Sequence, residues 1–139
     1  MNPILGIDFG RARIGLAISD ELHLLAHPLE TIRNDKAAIA KIAELVQNRK
    51  IHTVVVGVPR HMSGEIGESA TAAFQFVEQL RTQLPCAIET SDERLTTVAA
   101  ERALRESGKK TRDTRHVVDQ VAAQMILQTY LDRQSNAAT

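Results

Sequence analysis

A chain of 139 residues, 43% apolar and 24% charged, is sized for one domain with its own core, and this composition excludes a disordered chain. Formal net charge is zero, so no global basic field draws the chain to nucleic acid, and any such contact must come from a local patch. With no Trp, one Tyr and three Phe, an aromatic platform for stacking bases is excluded; the single Cys86 excludes an internal disulfide framework and a cysteine-based zinc site.

The chain opens with Ile4-Leu5-Gly6-Ile7-Asp8-Phe9-Gly10. Ile4, Leu5, Ile7 and Phe9 fall on both faces of a predicted strand, as in a central strand covered on both sides. Asp8 is a carboxylate inside that run. Burying an unpaired carboxylate costs several kcal/mol, so such a residue is paired, holds a metal or does chemistry. Gly10-Arg11-Ala12-Arg13 reads as a hairpin turn into a second strand, Arg13 to Ser19. Its Ile14, Leu16 and Ile18 point one way; Gly15, Ala17 and Ser19 form a small face that leaves room beside Asp8 or accommodates a packed helix.

Leu22 to Thr31 reads as a third strand, with Pro28 marking an edge or a bulge. Asn34 or Asp35 is expected to cap a helix carrying Ile39, Ile42, Ala43, Leu45 and Val46 and ending near Arg49-Lys50. Thr53 to Pro59 is a β-branched run typical of a buried parallel strand. After the glycine-containing loop 60–69 comes a helix from Ser69 to Leu84, with Phe74, Val77 and Leu80 inward and Pro85 as its stop. Cys86 to Thr90 is the last predicted strand, ending at Ser91-Asp92-Glu93-Arg94. A helix over Leu95 to Glu106, a basic loop over Ser107 to Thr114 and a final helix over Arg115 to Arg133 complete the pattern. The order β-β-β-α-β-α-β-α-α implies a single α/β domain over 1–134, a five-stranded mixed sheet with helices on both faces, and a frayed tail at 135–139. No run of about 18 apolar residues and no leader pattern is present, which predicts a soluble cytoplasmic protein with no membrane partner.

Three acidic positions stand where such sheets place their sites: Asp8, the pair Asp92-Glu93, and Asp119. If the first and last strands are neighbours and the final helix crosses their ends, these acids converge. Each also has a structural reading: Asp92 and Glu93 as caps for the helix at Leu95, Asp119 as an acid suited to a helix N-terminus. Converging carboxylates repel one another unless a cation sits among them, and oxygen-only ligands favour Mg2+ or Mn2+. Such ions support phosphodiester cleavage without a nucleophilic side chain. Arg11, Arg13, Arg60, Lys109, Lys110, Arg112 and Arg115 lie in segments that could flank the same site and bind phosphates.

Ile-Asp-Phe-Gly at the start, Val-Gly-Val-Pro before a glycine loop, Ser-Asp-Glu-Arg-Leu-Thr-Thr, and the late Val-Asp-Gln-Val-Ala-Ala resemble the YqgF/RuvX family, in order and over nearly the whole chain. These are small ribonuclease H-like proteins, described as candidate pre-16S rRNA nucleases and as Holliday junction resolvase-like. The resemblance implies a ribonuclease H-like domain and a metal-dependent nuclease for structured nucleic acid. It points to 5′-end processing of pre-16S rRNA in ribosome biogenesis, or to branched DNA as the alternative substrate, and ribosome association fits the first. It carries onto Asp8, Glu93 and Asp119 as catalytic acids and metal ligands. Asp92 and Arg94 adjoin them, with Glu93 favoured over Asp92 for the metal and Arg94 added to the nucleic-acid contacts. Arg115-His116-Val117-Val118 precedes Asp119 where relatives often carry a lysine. Two other classes compete. A non-catalytic module would bind RNA or a partner protein, and an ATP-binding protein of the actin, Hsp70 or sugar-kinase type would need two such domains.

Overall fold

The computed structural model describes residues 2–58, 68–92 and 112–137, with the backbone path alone at 68–70, 112–119 and 136–137. The elements are β1 (Ile4–Phe9), β2 (Arg13–Ser19), β3 (Ala26–Arg33), α1 (Ala38–Asn48), β4 (Thr53–Val58), α2 (Glu68–Gln83), β5 (Ala87–Asp92) and α3 (Arg112–Ala137). The five strands form one mixed sheet in the order β3-β2-β1-β4-β5. β1 and β2, and β2 and β3, run antiparallel; β1 and β4, and β4 and β5, run parallel. The all-apolar character of Ile4-Leu5 and Val54-Val55-Val56 follows: these strands are central and both their faces are covered.

Each face has its own packing. Leu5, Ile7, Ile14, Leu16, Val54, Val56 and Ile88 meet Ile42 and Val46 of α1 and Phe76, Val77 and Leu80 of α2. On the opposite face Ile4, Ala17 and Val55 meet Ala123, Ile126, Leu127 and Leu131 of α3. The alternation of side chains along β1 therefore sends its odd-numbered residues to α1 and α2 and its even-numbered residues, Asp8 among them, to the α3 face.

Several local expectations change. β3 starts at Ala26, not Leu22, and Leu22 to Leu25 belong to the β2–β3 turn. Pro28 sits on an edge strand, where the pairing steps from Leu16–Glu30 to Ala17–Pro28 across a bulge. Asn34 does not cap α1: its side-chain amide donates to the Gly10 carbonyl at 2.7 Å, tying the β1–β2 turn to the end of β3. Asp35 instead accepts from the Ala37 N–H at 2.9 Å, just before α1. That helix closes with a paired hydrogen-bond motif, Ile51 N–H to the Val46 carbonyl and Lys50 N–H to the Gln47 carbonyl. Lys50 takes φ 55° there, the left-handed position usual for a residue just past a helix end.

In α2 the fully inward aromatic is Phe76, which packs on Phe9 with ring centroids 4.7 Å apart; Phe74 is only partly buried, against Val58 and Ala73. β5 runs two residues further than its predicted end, through Asp92. α3 takes in 112–114, expected as loop, and 135–137, expected as frayed. The predicted helix at 95–106 lies outside the described residues.

Candidate functional site

The site begins with the register of β1. Asp8 pairs with Gly15 on one side and Gly57 on the other, and Gly57 pairs in turn with Ser91. Residues in register share a face, so Gly15, Asp8, Gly57 and Ser91 form one row on the α3 side of the sheet. Asp8 is half-buried, and its in-register neighbours on both strands are glycines. The first and last strands are not neighbours, as the convergence argument supposed. β4 lies between them, and at the decisive position it carries a glycine. Of the two readings of the small face of β2, the packed helix holds at Ala17, which α3 covers, while Gly15 is the small residue next to the acid.

The course of α3 fixes the rest. Leu127 and Ala123 lie over Gly6, while Gln128 bonds the Ala26 N–H and Leu131 belongs to the cluster that holds Ile4 and Ala26, so the C-terminal half of the helix lies toward the Ile4 end of β1. From Gly6 to Asp8 is about 7 Å along the strand. One helical step from Ala123 to position 119 is about 6 Å in the same direction. The backbone of α3 N-terminal to Ala123, position 119 included, therefore continues past Gly6 toward the Asp8 end of β1.

Asp92 falls on the other face. It pairs with Val58, on the α2 side, and lines a cleft of about 260 Å³ with Val58, Phe74, Thr90 and Ser91. Its expected role as a cap for Leu95, together with Glu93, Arg94, Arg60, Lys109 and Lys110, lies outside the described residues. Arg11 is exposed in the β1–β2 turn and Arg13 half-buried at the start of β2, both at the Asp8 end of the sheet. Arg112 and Arg115 are in the first turns of α3. Among the described residues no three His, Cys, Asp or Glu side chains come together as a metal site. What the sheet brings into one row is Asp8 with Gly15, Gly57 and Ser91.

Three contacts anchoring α3 were not anticipated. The Tyr130 hydroxyl donates to the Glu89 carboxylate on β5. Burial, with the Glu89 bond and charge, pushes the phenol up to about 12. On the opposite edge Gln128 accepts from the Ala26 N–H at 2.8 Å, and Gln124 donates to the Ala26 carbonyl at 3.0 Å. α3 is thereby held to both edges of the sheet. The signal for Gly57 was present, since a glycine inside a β-branched run marks a close approach. The glutamine and tyrosine contacts had none, because their partners are between about forty and a hundred positions away.

The comparisons agree with this architecture. The family model described as "RuvX: Holliday junction resolvase" matches residues 2–133. A protein of Nocardia farcinica named "Putative pre-16S rRNA nuclease" is 50% identical, over 94% of this chain and 78% of its own. One of the same name from Chloroflexus aggregans is 50% identical over 96% of this chain and 95% of its own. Among solved structures, Thermus thermophilus RuvC in complex with a Holliday junction substrate superposes with TM-score 0.58 at 18% identity, covering 97% of this chain and 96% of that one. The fowlpox virus resolvase in its junction complex gives 0.54 at 10% identity, covering 95% and 98%. At these identities the likeness establishes the fold, a ribonuclease H-like sheet.

Proposed function

The chain belongs to the RuvX family, and on that premise we propose that it is a nuclease hydrolysing phosphodiester bonds of structured nucleic acid at the Asp8 end of its sheet. The observation that carries this reading is the row Gly15–Asp8–Gly57–Ser91, in which one half-buried carboxylate has a glycine in register on each side, on the sheet face that α3 covers. An oxygen-only donor set with that clearance fits a hard divalent cation.

We assign Asp8, Glu93 and Asp119 to the cation. Asp92 is set aside because it lies on the α2 face. A bound Mg2+ or Mn2+, expected as a pair, supplies Lewis-acid polarisation of the phosphate and an activated water, so that no nucleophilic side chain is required. The protein's own part is to hold the acids and to seat the substrate. Asp8 is fixed by the β1 ladder on both sides. Phe9, the next residue, is anchored on the far face against Phe76. Arg11 and Arg13, at the same end of the sheet, contact phosphates. Arg60, Arg94, Lys109, Lys110, Arg112 and Arg115 extend those contacts along the nucleic acid. Each neutralised phosphate adds to the salt dependence of binding.

The preferred substrate is the 5′ leader of pre-16S rRNA, in cytoplasmic ribosome biogenesis, a reading supported by the pre-16S rRNA nuclease name of the similar relatives. A four-way DNA junction is the second reading, favoured by the family description. Cleavage of both substrates by wild type and by Glu93→Gln, in Mg2+, tests the proposal. The expected result is leader cleavage by wild type and none by the variant. Cleavage of the junction alone would overturn the RNA preference, and an active Glu93→Gln would overturn the site.

A further inference from the structure

The β2–β3 turn is built unlike an ordinary surface loop. Its sequence Leu22-His23-Leu24-Leu25 puts three leucines into water, with 67, 60 and 58% of their surface exposed. They are the exposed large apolar side chains among the described residues. Connecting loops are normally polar, and a contiguous apolar patch on an ordered surface marks an interaction site.

The patch is also held in shape. The Asp20 carboxylate accepts the N–H groups of Leu24 at 2.7 Å and Leu25 at 3.0 Å. His23 adopts φ 59°, and its ring bonds the Asn2 carbonyl oxygen at 2.6 Å. Gln128 of α3 donates to the Leu24 carbonyl at 3.0 Å and to the Asp132 carboxylate at 3.0 Å, which brings Asp132 to the edge of the patch. The leucines are therefore displayed by a loop that has little ordering left to lose, the condition under which a small patch gives useful affinity.

The surroundings narrow the occupant. Asp20 and Asp132 are tied to the turn by hydrogen bonds and the exposed Glu21 immediately precedes Leu22, and these acids disfavour phosphates and anionic lipid surfaces. Three leucines also offer far less than the roughly 800 Å² per partner of a stable dimer of folded chains. Ala26, where the exposed edge strand begins, already has its N–H and carbonyl taken by Gln128 and Gln124, so a strand cannot be added there through the backbone. What remains is recognition through side chains.

We propose that the Leu22-Leu24-Leu25 turn docks a short segment of a partner protein that carries apolar anchors flanked by Lys or Arg. The patch lies at the opposite end of the sheet from Asp8: Ser19 pairs with Ala26 beside the patch, whereas Gly15 pairs with Asp8. Ile4 and Asp8 are about 13 Å apart along β1. A partner and a nucleic acid can therefore be held at once, and the docking does not depend on which substrate is cut.

The test uses the full chain and three labelled peptides: an amphipathic leucine–lysine peptide, the same peptide with glutamate for every lysine, and one with serine for every leucine. Wild type should bind the leucine–lysine peptide at least tenfold more tightly than either control, with amide shifts over 20–26. Leu22→Ser/Leu24→Ser/Leu25→Ser should lose at least tenfold while keeping its melting curve. Glu21→Lys/Asp132→Lys should reverse the preference toward the glutamate peptide. Equal binding of all three peptides, or unchanged binding by the leucine variant, would overturn the proposal. So would a wild-type dimer in sedimentation that the leucine variant dissolves, or flotation of wild type with lipid vesicles that the variant lacks.

Discussion

A Cβ built on Gly6 would lie 2.7 Å from the Cβ of Leu127 and 3.1 Å from the carbonyl oxygen of Ala123. This contact sets how closely α3 lies on β1. Gly6→Ala is expected to destabilise the fold by about 1–3 kcal/mol, because backbone atoms rather than a flexible tip must move. Denaturant titration measures it. Because α3 must lift, cleavage should fall beyond what the lost stability explains when assayed well below the melting temperature.

Asp8→Asn separates a structural acid from a functional one. It changes a charge and no volume, in a row flanked by Gly15 and Gly57. The fold should survive, cleavage should be lost, and the rise in melting temperature expected of wild type in millimolar Mg2+ should be absent. A variant that unfolds, or a wild type indifferent to Mg2+ and Mn2+, would return Asp8 to a structural role.

Tyr130 titrates late. Its hydroxyl sits near 12 in the fold against 10.0 in an unperturbed phenol. A group raised on folding stabilises fully below its unfolded value and loses that contribution as pH climbs through the folded one. Wild type should therefore lose stability relative to Tyr130→Phe between pH 10 and about 12, and below that window the variant should be weaker by about 1 kcal/mol. The chain has one tyrosine and no tryptophan, so phenolate absorbance reports the group directly. A midpoint near 10 in the folded protein would contradict the Glu89 bond.

Asn34 fastens the turn that follows Asp8. Its side chain bonds the Gly10 carbonyl and its backbone N–H the Ala12 carbonyl at 3.0 Å. Asn34→Ala should cost about 1 kcal/mol. It should raise amide exchange at 10–12 and weaken substrate binding through Arg11 more than it lowers the melting temperature.

The chain's own residues determined the class of this protein. Ile4-Leu5 and the valines of β4 could only be central strands, since each strand carries apolar residues on both faces. The order of strands and helices then left a mixed sheet covered on both sides. Asp8 was legible because a carboxylate in such a run stands against its surroundings, and the motifs around Asp92-Glu93 and Asp119 carried the family.

Adjacency was decided by the tertiary structure alone. β4 lies between β1 and β5, so Asp8 is beside Gly57 and reaches the level of Ser91 only across it. Strand alternation puts Asp92 on the α2 face, opposite Asp8, and Gly6 lets Ala123 and Leu127 of α3 approach β1 closely. The leucines of the β2–β3 turn looked like part of a strand because their local pattern is apolar. They stay in water because Asp20 and Gln128, the latter a hundred positions away, hold the turn in another shape. Periodicity reports which face a residue prefers. It does not report which distant backbone groups will be near enough to satisfy it.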